Sequence, residues 1–216
     1  MTALTSRAVD IEEADRNNDT SIRDSIVKMV MSYLRTDTLL CWAPEQNLHD
    51  PSQNANADMD ERAPGSAPSD ETLRSRQIRT ATSIIGHLTQ HVWPGVELKP
   101  ALEEGSIMPS PQPEMTQQVI QGWLNGLPAY ELAGLERGVL ATKSLCIATR
   151  VLVQWSTHFD DADRSQGFGI EEAAEACSLE VSWQTQMWGE VEDTHDVDKE
   201  DLRRQLGSVI MLVHTH

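Results

Sequence analysis

The sequence predicts an all-α fold, an irregular bundle of about seven helices. Three observations lead there. Apolar residues return every three or four positions along most of the chain; proline and glycine clusters fall between those stretches; no stretch alternates apolar with polar residues as a half-buried strand does. The helical domain is expected in two parts, 1–43 and 71–216, separated by an insert at 44–70.

Leu4, Ala8 and Ile11 place a first helix over 3–13. After the polar turn Arg16-Asn17-Asn18-Asp19, a second helix begins with Thr20 or Ser21 as cap. Its apolar stripe is Ile22, Ile26, Met29, Val30 and Tyr33, and it ends near Leu34. Residues 44–70 are rich in Pro, Ser, Asn, Asp and Ala. Such a segment buries too little apolar surface to offset its ordering entropy, so disorder is expected there. Helix returns from about Asp70 to Val92 and stops at Trp93-Pro94-Gly95. A proline-rich loop with one short extended piece fills 96–113. Helices follow at 113–126, 128–142 and 143–156, with Pro128 at a helix start. The break at Thr142-Lys143 is weakly marked, and one continuous helix across it is the alternative. After a polar loop at 157–169, a long helix is expected from Ile170 to about His195. Its buried face reads Ile170, Ala174, Cys177, Val181, Gln184, Trp188, Val191. A last helix, 198–213, buries Leu202, Leu206, Val209 and Val213, with Asp198 as its cap.

Lysine and arginine number 17 against 34 acids, giving a net charge of −17. Such a chain repels nucleic-acid phosphates and anionic lipid, and its natural complement is a basic protein surface. The longest apolar runs, such as Val209 to Val213, are far short of the roughly 20 residues that cross a bilayer. Cys41, Cys146 and Cys177 are odd in number and widely spaced, which speaks for free thiols in a reducing compartment. The first twenty residues hold Arg7 and Arg16 against five acids, unlike a basic presequence.

Few constellations suggest chemistry. His87 and His91 share a helix face at i, i+4, as zinc ligands do. The residues between them, Leu88-Thr89-Gln90, lack the glutamate of a metalloprotease motif, and no third ligand is evident. Asp161, Asp163 and Ser165 open like a calcium loop with Glu172 at its twelfth position, but Gln166 stands where the turn needs glycine. A solvated acidic loop is the better reading. Nucleophile signatures and phosphate-binding glycine loops are absent, so no enzyme and no cofactor is expected. An acid–base pair drawn from Glu192, His195 and Asp196 is the residual enzymatic alternative. A metal-responsive or acidic protein-interaction module is the other.

The distinctive stretch lies near the C-terminus. Between Thr157 and Asp201 stand fourteen acids against Arg164 and Lys199, a local net charge of −12. On one continuous helix, Trp188, Glu192 and His195 follow at i, i+4 and i+7. Glu192 then stands beside a tryptophan at the edge of the apolar stripe, where a carboxylate is partly desolvated and favours a fixed partner. That partner is His195, an arginine of this chain such as Arg203 or Arg204, or a basic group of a bound protein. Trp188, Glu190, Glu192, Asp193, His195 and Asp196 are the candidate partner-binding residues.

The segment Trp188-Gly189-x-Val191-Glu192-x-x-His195-Asp196 resembles the C-terminal signature of the chaperones that assemble the mitochondrial and proteobacterial F-type ATP synthase. Three further blocks resemble the same family: Leu4-Thr5-Ser6-x-Ala8-x-Asp10, Thr36-Asp37-Thr38 followed by Cys41-Trp42, and Gly134-Leu135-Glu136 running into Lys143-Ser144-Leu145. The insert after Trp42 and the Trp93-Pro94-Gly95 element resemble the fungal branch. The resemblance implies a monomeric mitochondrial matrix chaperone that holds the unassembled alpha subunit, with Glu192 at the position of a functionally important carboxylate. Full-length members begin with a β-rich domain and a presequence, and this chain starts after both. It also carries Arg79-Thr80-Ala81-Thr82 in place of the family's Trp-Asp-Pro element.

Overall fold

Eight α-helices make up most of the described part of the computed structural model, which comprises residues 2–44, 72–102, 108–159, 165, 167–189 and 194–216. They are α1 (Thr2–Arg16), α2 (Ser21–Leu34), α3 (Leu73–His87), α4 (Glu114–Asn125), α5 (Ala129–Thr142), α6 (Leu145–Trp155), α7 (Ile170–Trp188) and α8 (Thr194–Thr215). No strand occurs among the described residues; a single bridge joins Leu102 to Pro109. The expected all-α bundle is what forms. The insert expected at 44–70 lies, from residue 45 onward, outside the described residues.

The centre is α5, which packs on α1, α6 and α8. Its sequence suits that place. Ala129, Leu132, Ala133, Gly134, Leu135, Gly138 and Val139 are buried, and they point around the whole helix rather than along one stripe. Small residues let neighbours come close. A Cβ on Gly134 would stand 2.7 Å from Val213 Cγ1 of α8, and one on Gly138 would stand 3.1 Å from Ala148 Cβ of α6. Arg7 of α1 grips Glu136 of α5 with both ends of its guanidinium, at 2.9 and 3.0 Å. Arg23 ties α2 to α1 through Asp15 at 2.6 Å and donates to the Leu127 carbonyl at 2.8 Å, just past the end of α4.

The turn after α2 meets the start of α6 in a buried polar knot. Asp37 is fully buried. One carboxylate oxygen accepts the Leu39 amide at 3.0 Å, and the other accepts the Cys146 amide of α6 at 3.0 Å. Ser144 is the N-cap of α6, its hydroxyl accepting the Ile147 amide at 3.0 Å. Two donors that a helix start leaves without intrahelical partners are thus met from side chains. Thr38 adds a bond from its amide to the Lys143 carbonyl at 3.3 Å. Burial pushes the Asp37 carboxyl above its usual range, and the Ser144 hydroxyl with the Cys146 and Leu39 amides pulls it only part of the way back.

Several boundaries differ from the sequence reading. The helix expected from 70 to 92 is α-helical only to His87, and Leu88–Val92 winds as a π-helix. The wider turn lets the Trp93 amide reach the Leu88 carbonyl at 2.7 Å and puts the indole in the core, edge-on to Trp123. The weak break at Thr142-Lys143 is a true one: Lys143 adopts φ 58° and ends α5 in the left-handed conformation. Thr20 does not cap α2. Its hydroxyl donates to Asp24 at 2.7 Å, and Asp19 accepts the Ser21 amide at 2.9 Å instead.

The long helix to His195 is also corrected. It ends at Trp188, where Gly189 takes φ 88° and ψ 161°, a conformation open only to glycine. The next helix starts at Thr194, so Asp198 lies inside α8 and is not its cap. Val181 and Gln184, expected on the buried face of α7, are exposed. The reason is the crossing point. The middle of α8 meets the beginning of α7, near Gly207 and Ile170, so Ala173 and Ala174 are buried and Ala176 and Cys177 pack partly against the core, while Val181 and Gln184 beyond them stay open.

Two measurements check this architecture. Asp37→Asn keeps the shape but puts an N–H where an acceptor is needed, and is expected to lower the free energy of unfolding by about 2–4 kcal/mol in urea titrations. Since the folded carboxyl titrates above the unfolded one, its contribution is full below the unfolded value and is lost as pH rises through the raised one. The difference in stability between wild type and Asp37→Asn therefore narrows as pH rises. Burial also pushes the Cys177 thiol up to about 12 and that of Cys146 well above its usual value. Iodoacetamide at pH 8 is expected to leave both unmodified in the folded protein and to label all three cysteines in urea.

Candidate interaction face of the last two helices

The first turns of α7 are set by its cap. The Gly169 amide donates to the Glu172 carboxylate at 2.8 Å, and Glu172's own backbone amide together with this bond holds that carboxyl below its usual range. Glu172, the expected twelfth ligand of a calcium loop, is therefore occupied as a helix cap. Asp161, Asp163 and Gln166 lie outside the described residues. The Trp155 indole N–H donates to the Phe168 carbonyl at 2.9 Å and fixes the approach to α7.

Helix α7 also runs beside α3, whose Arg79–Ile84 stretch lines a cavity with Glu172, Glu175 and Ala176. Arg76 of α3 lies 5.0 Å from the centre of the Trp183 ring and donates to Gln186 at 3.4 Å. The outer side of the second half of α7 stays uncovered: Val181 is 41% exposed and Met187 38%. Across the junction, Val197 on the first half of α8 is 66% exposed. The same two helices carry the exposed acids Glu171, Glu175, Glu180, Asp198 and Glu200. Their exposed side is thus apolar at some points and acidic at others, a composition that suits a protein partner with basic and apolar groups.

The predicted site residues do not share one helix face. Trp188 closes α7, whereas His195 and Asp196 sit in the first turn of α8. Glu190, Glu192 and Asp193 lie between them, outside the described residues. The i, i+4, i+7 relation of Trp188, Glu192 and His195 required a helix that Gly189 interrupts. The two arginines offered as internal partners for Glu192 have other partners. Arg203 makes a forked contact with Glu171 at 3.0 and 2.9 Å and a second with Glu200 at 2.9 Å. Arg204 pairs with Asp201, which also accepts from Gln205.

Elsewhere, His87 and His91 do come together, with ring centres 4.8 Å apart, His87 buried and His91 exposed. Among the described residues no group of three or more histidine, cysteine or acidic side chains is arranged to hold a metal ion. The residues that sequence reasoning passed over are those of the Asp37 knot. Thr36-Asp37-Thr38 and Lys143-Ser144-Leu145 stood out as separate blocks, and their meeting across 109 positions has no local signal.

Comparison with known proteins agrees with this geometry. The family model described as ATP12 chaperone protein matches residues 1–89. The protein of Schizosaccharomyces pombe called "Protein atp12, mitochondrial" is 26% identical over 212 residues, which is 98% of this chain and 60% of that protein. Its Saccharomyces cerevisiae counterpart, "Protein ATP12, mitochondrial", is 26% identical over 95% of this chain and 61% of its own length. The chain is thus similar in sequence to the fungal ATP12 proteins along nearly its whole length. It spans about three fifths of the length of these curated relatives. A solved mutant of P. denitrificans Atp12p has the same fold, with a TM-score of 0.64 at 16% identity over 99% of this chain and 70% of that one. A structure of Atp12 from Paracoccus denitrificans gives 0.59 at 15% identity, covering 92% of this chain and 70% of that one.

The geometry of the α7–α8 junction is open to test. Nothing lies within 4 Å of a Cβ built on Gly189, so Gly189→Ala suffers backbone strain without a clash. It is expected to cost about 1–3 kcal/mol in urea unfolding. Gly167→Ala, with equal space and no positive φ, should cost less than about 0.5 kcal/mol.

Proposed function

We propose that this chain is the helical part of an assembly chaperone for the mitochondrial proton-transporting ATP synthase, and that it holds the unassembled alpha subunit. The observation that carries this reading is similarity to the fungal Atp12 proteins over 95–98% of the chain, through the helical fold itself. Both relatives are named as mitochondrial, and the same place is proposed here, in the matrix.

The chemistry of the α7–α8 face supports a binder. Exposed Val181, Met187 and Val197 can bury apolar area against a client, which supplies most of the affinity of such contacts. The exposed acids of the same two helices speed and orient encounter with a basic client surface. Glu192 belongs to the segment joining these two helices, and with Arg203 and Arg204 engaged elsewhere it is proposed to meet a cation of the client. Trp188, Glu190, Asp193, His195 and Asp196 are proposed to flank that contact. Chaperoning of this kind needs no covalent step, and no catalytic role is assigned to any residue.

Capture of recombinant alpha subunit on the immobilised chain tests the reading. Glu192→Lys, and separately Met187→Asp with Val197→Asp, are each expected to reduce retained alpha by at least about tenfold. Arg16→Glu, at an exposed position at the end of α1, should not. Equal capture by all variants would remove the proposed face. No capture by the wild-type chain, nor by a chain extended with the remaining part of its relatives, would remove the function.

A further inference from the structure

A second surface has a different character. Helices α2 and α4 pack on each other and leave two adjoining cavities of about 400 and 440 Å³ along their seam, with Met31 and Gln117 lining both. The floor is fixed. Leu34 and Val27 are buried beneath it. The buried Gln112 amide bonds the Lys99 backbone at both ends, at 2.9 and 2.7 Å, and the Gln117 amide donates to the Gln112 carbonyl at 2.7 Å. Met31, half-buried on the rim, is unbranched and adapts to what it touches.

Charge distinguishes this groove from the rest of the molecule. In a chain of net charge −17, its α2 wall presents Lys28 and Arg35, both exposed, with Asp24 at one end. Neither cation forms an ion pair among the described residues. The α4 wall is neutral, with Gln117, Gln121 and Asn125. The chain's overall charge does not override this local sign, because beyond about 8 Å physiological salt screens it while a docked group meets the two cations directly.

We propose that this groove docks the apolar edge of an acidic amphipathic helix of a protein partner. From Asp24 to Arg35 the seam runs about 16 Å, which accommodates side chains at i, i+4 and i+7 of a bound helix. Carboxylates on the rim of that helix meet Lys28 and Arg35, and the amides of α4 satisfy its polar edge. A second copy of this chain is the poorer occupant, since a two-fold pairing would set the same cations against each other. The groove shares no residue with the α7–α8 face, so this proposal and the alpha-subunit reading stand or fall separately.

The test uses two fluorescently labelled amphipathic peptides of about 14 residues, one built from Leu, Ala and Glu and the other from Leu, Ala and Lys. Anisotropy titrations against the intact chain are expected to show the Glu peptide binding at least about tenfold more tightly. Lys28→Glu with Arg35→Glu, both exposed positions, should reverse the preference, and Met31→Glu should weaken the Glu peptide by about tenfold or more. Circular dichroism confirms that each variant is folded. Equal affinity for both peptides, or a preference unmoved by the double charge reversal, would overturn the proposal. So would sedimentation showing a dimer of the wild-type chain that Met31→Glu dissolves, since the groove would then be occupied by a second copy.

Discussion

The buried carboxyl of Asp37 is the constraint around which this bundle is arranged. A helix that starts in the interior must have its first amides met, or the fold bears the cost of burying them bare. Here α6 begins fully inside, with Ser144 through Val153 all buried. Its own cap meets one amide, and Asp37, arriving from the turn after α2, meets a second. The positive end of the helix favours the acceptor it finds there. Since α6 in turn packs on α5 and α7, the position of the last two helices traces back to this knot.

The blocks that look separate along the chain turn out to be pairs in space. Arg7, inside the first block, grips Glu136 at the end of the third. Asp37, the centre of the second, binds the start of α6 in the segment that follows Gly134-Leu135-Glu136. Each pairing joins elements of the N-terminal third to the α5–α6 centre. The family model ends at residue 89, yet the contacts it covers are completed by residues beyond it. The similarity to the fungal proteins, at 26% identity, likewise runs past residue 89 over almost the whole chain.

The two surfaces assigned a binding role divide the work by sign and by build. The α7–α8 face is acidic and interrupted by a glycine joint, with Met187 and Val197 on either side. The α2–α4 groove is cationic on one wall and neutral on the other, over a floor locked by amide bonds. The acidic excess of the chain suits encounter with basic surfaces, and the groove is the place proposed for an acidic helix.

Local physics made much of this readable in advance. The apolar spacing of Leu4, Ala8 and Ile11, of Ile26 and Val30, and of Leu206, Val209 and Val213 identified helices whose buried sides are as expected. Pro128 and Trp93-Pro94-Gly95 marked ends that are real ends, because proline and glycine act through the backbone of their own residue. The candidate site was less legible. Its one-helix geometry assumed that Gly189 could be passed over, and nothing in the apolar pattern of Val181, Trp188 and Val191 contradicted that. Only the crossing of α8 over the start of α7 decided which turns of α7 are covered. Likewise the sequence by itself determined the helical class, the free thiols and the acidic C-terminal stretch, all of which depend on residues near one another in the chain. The tertiary structure alone decided that Asp37 caps α6, that Arg203 and Arg204 are engaged with Glu171 and Asp201, and that a cationic groove opens beside Met31. Those facts depend on which surfaces meet across long separations, and the pattern along the chain carries no record of the angle at which two helices cross.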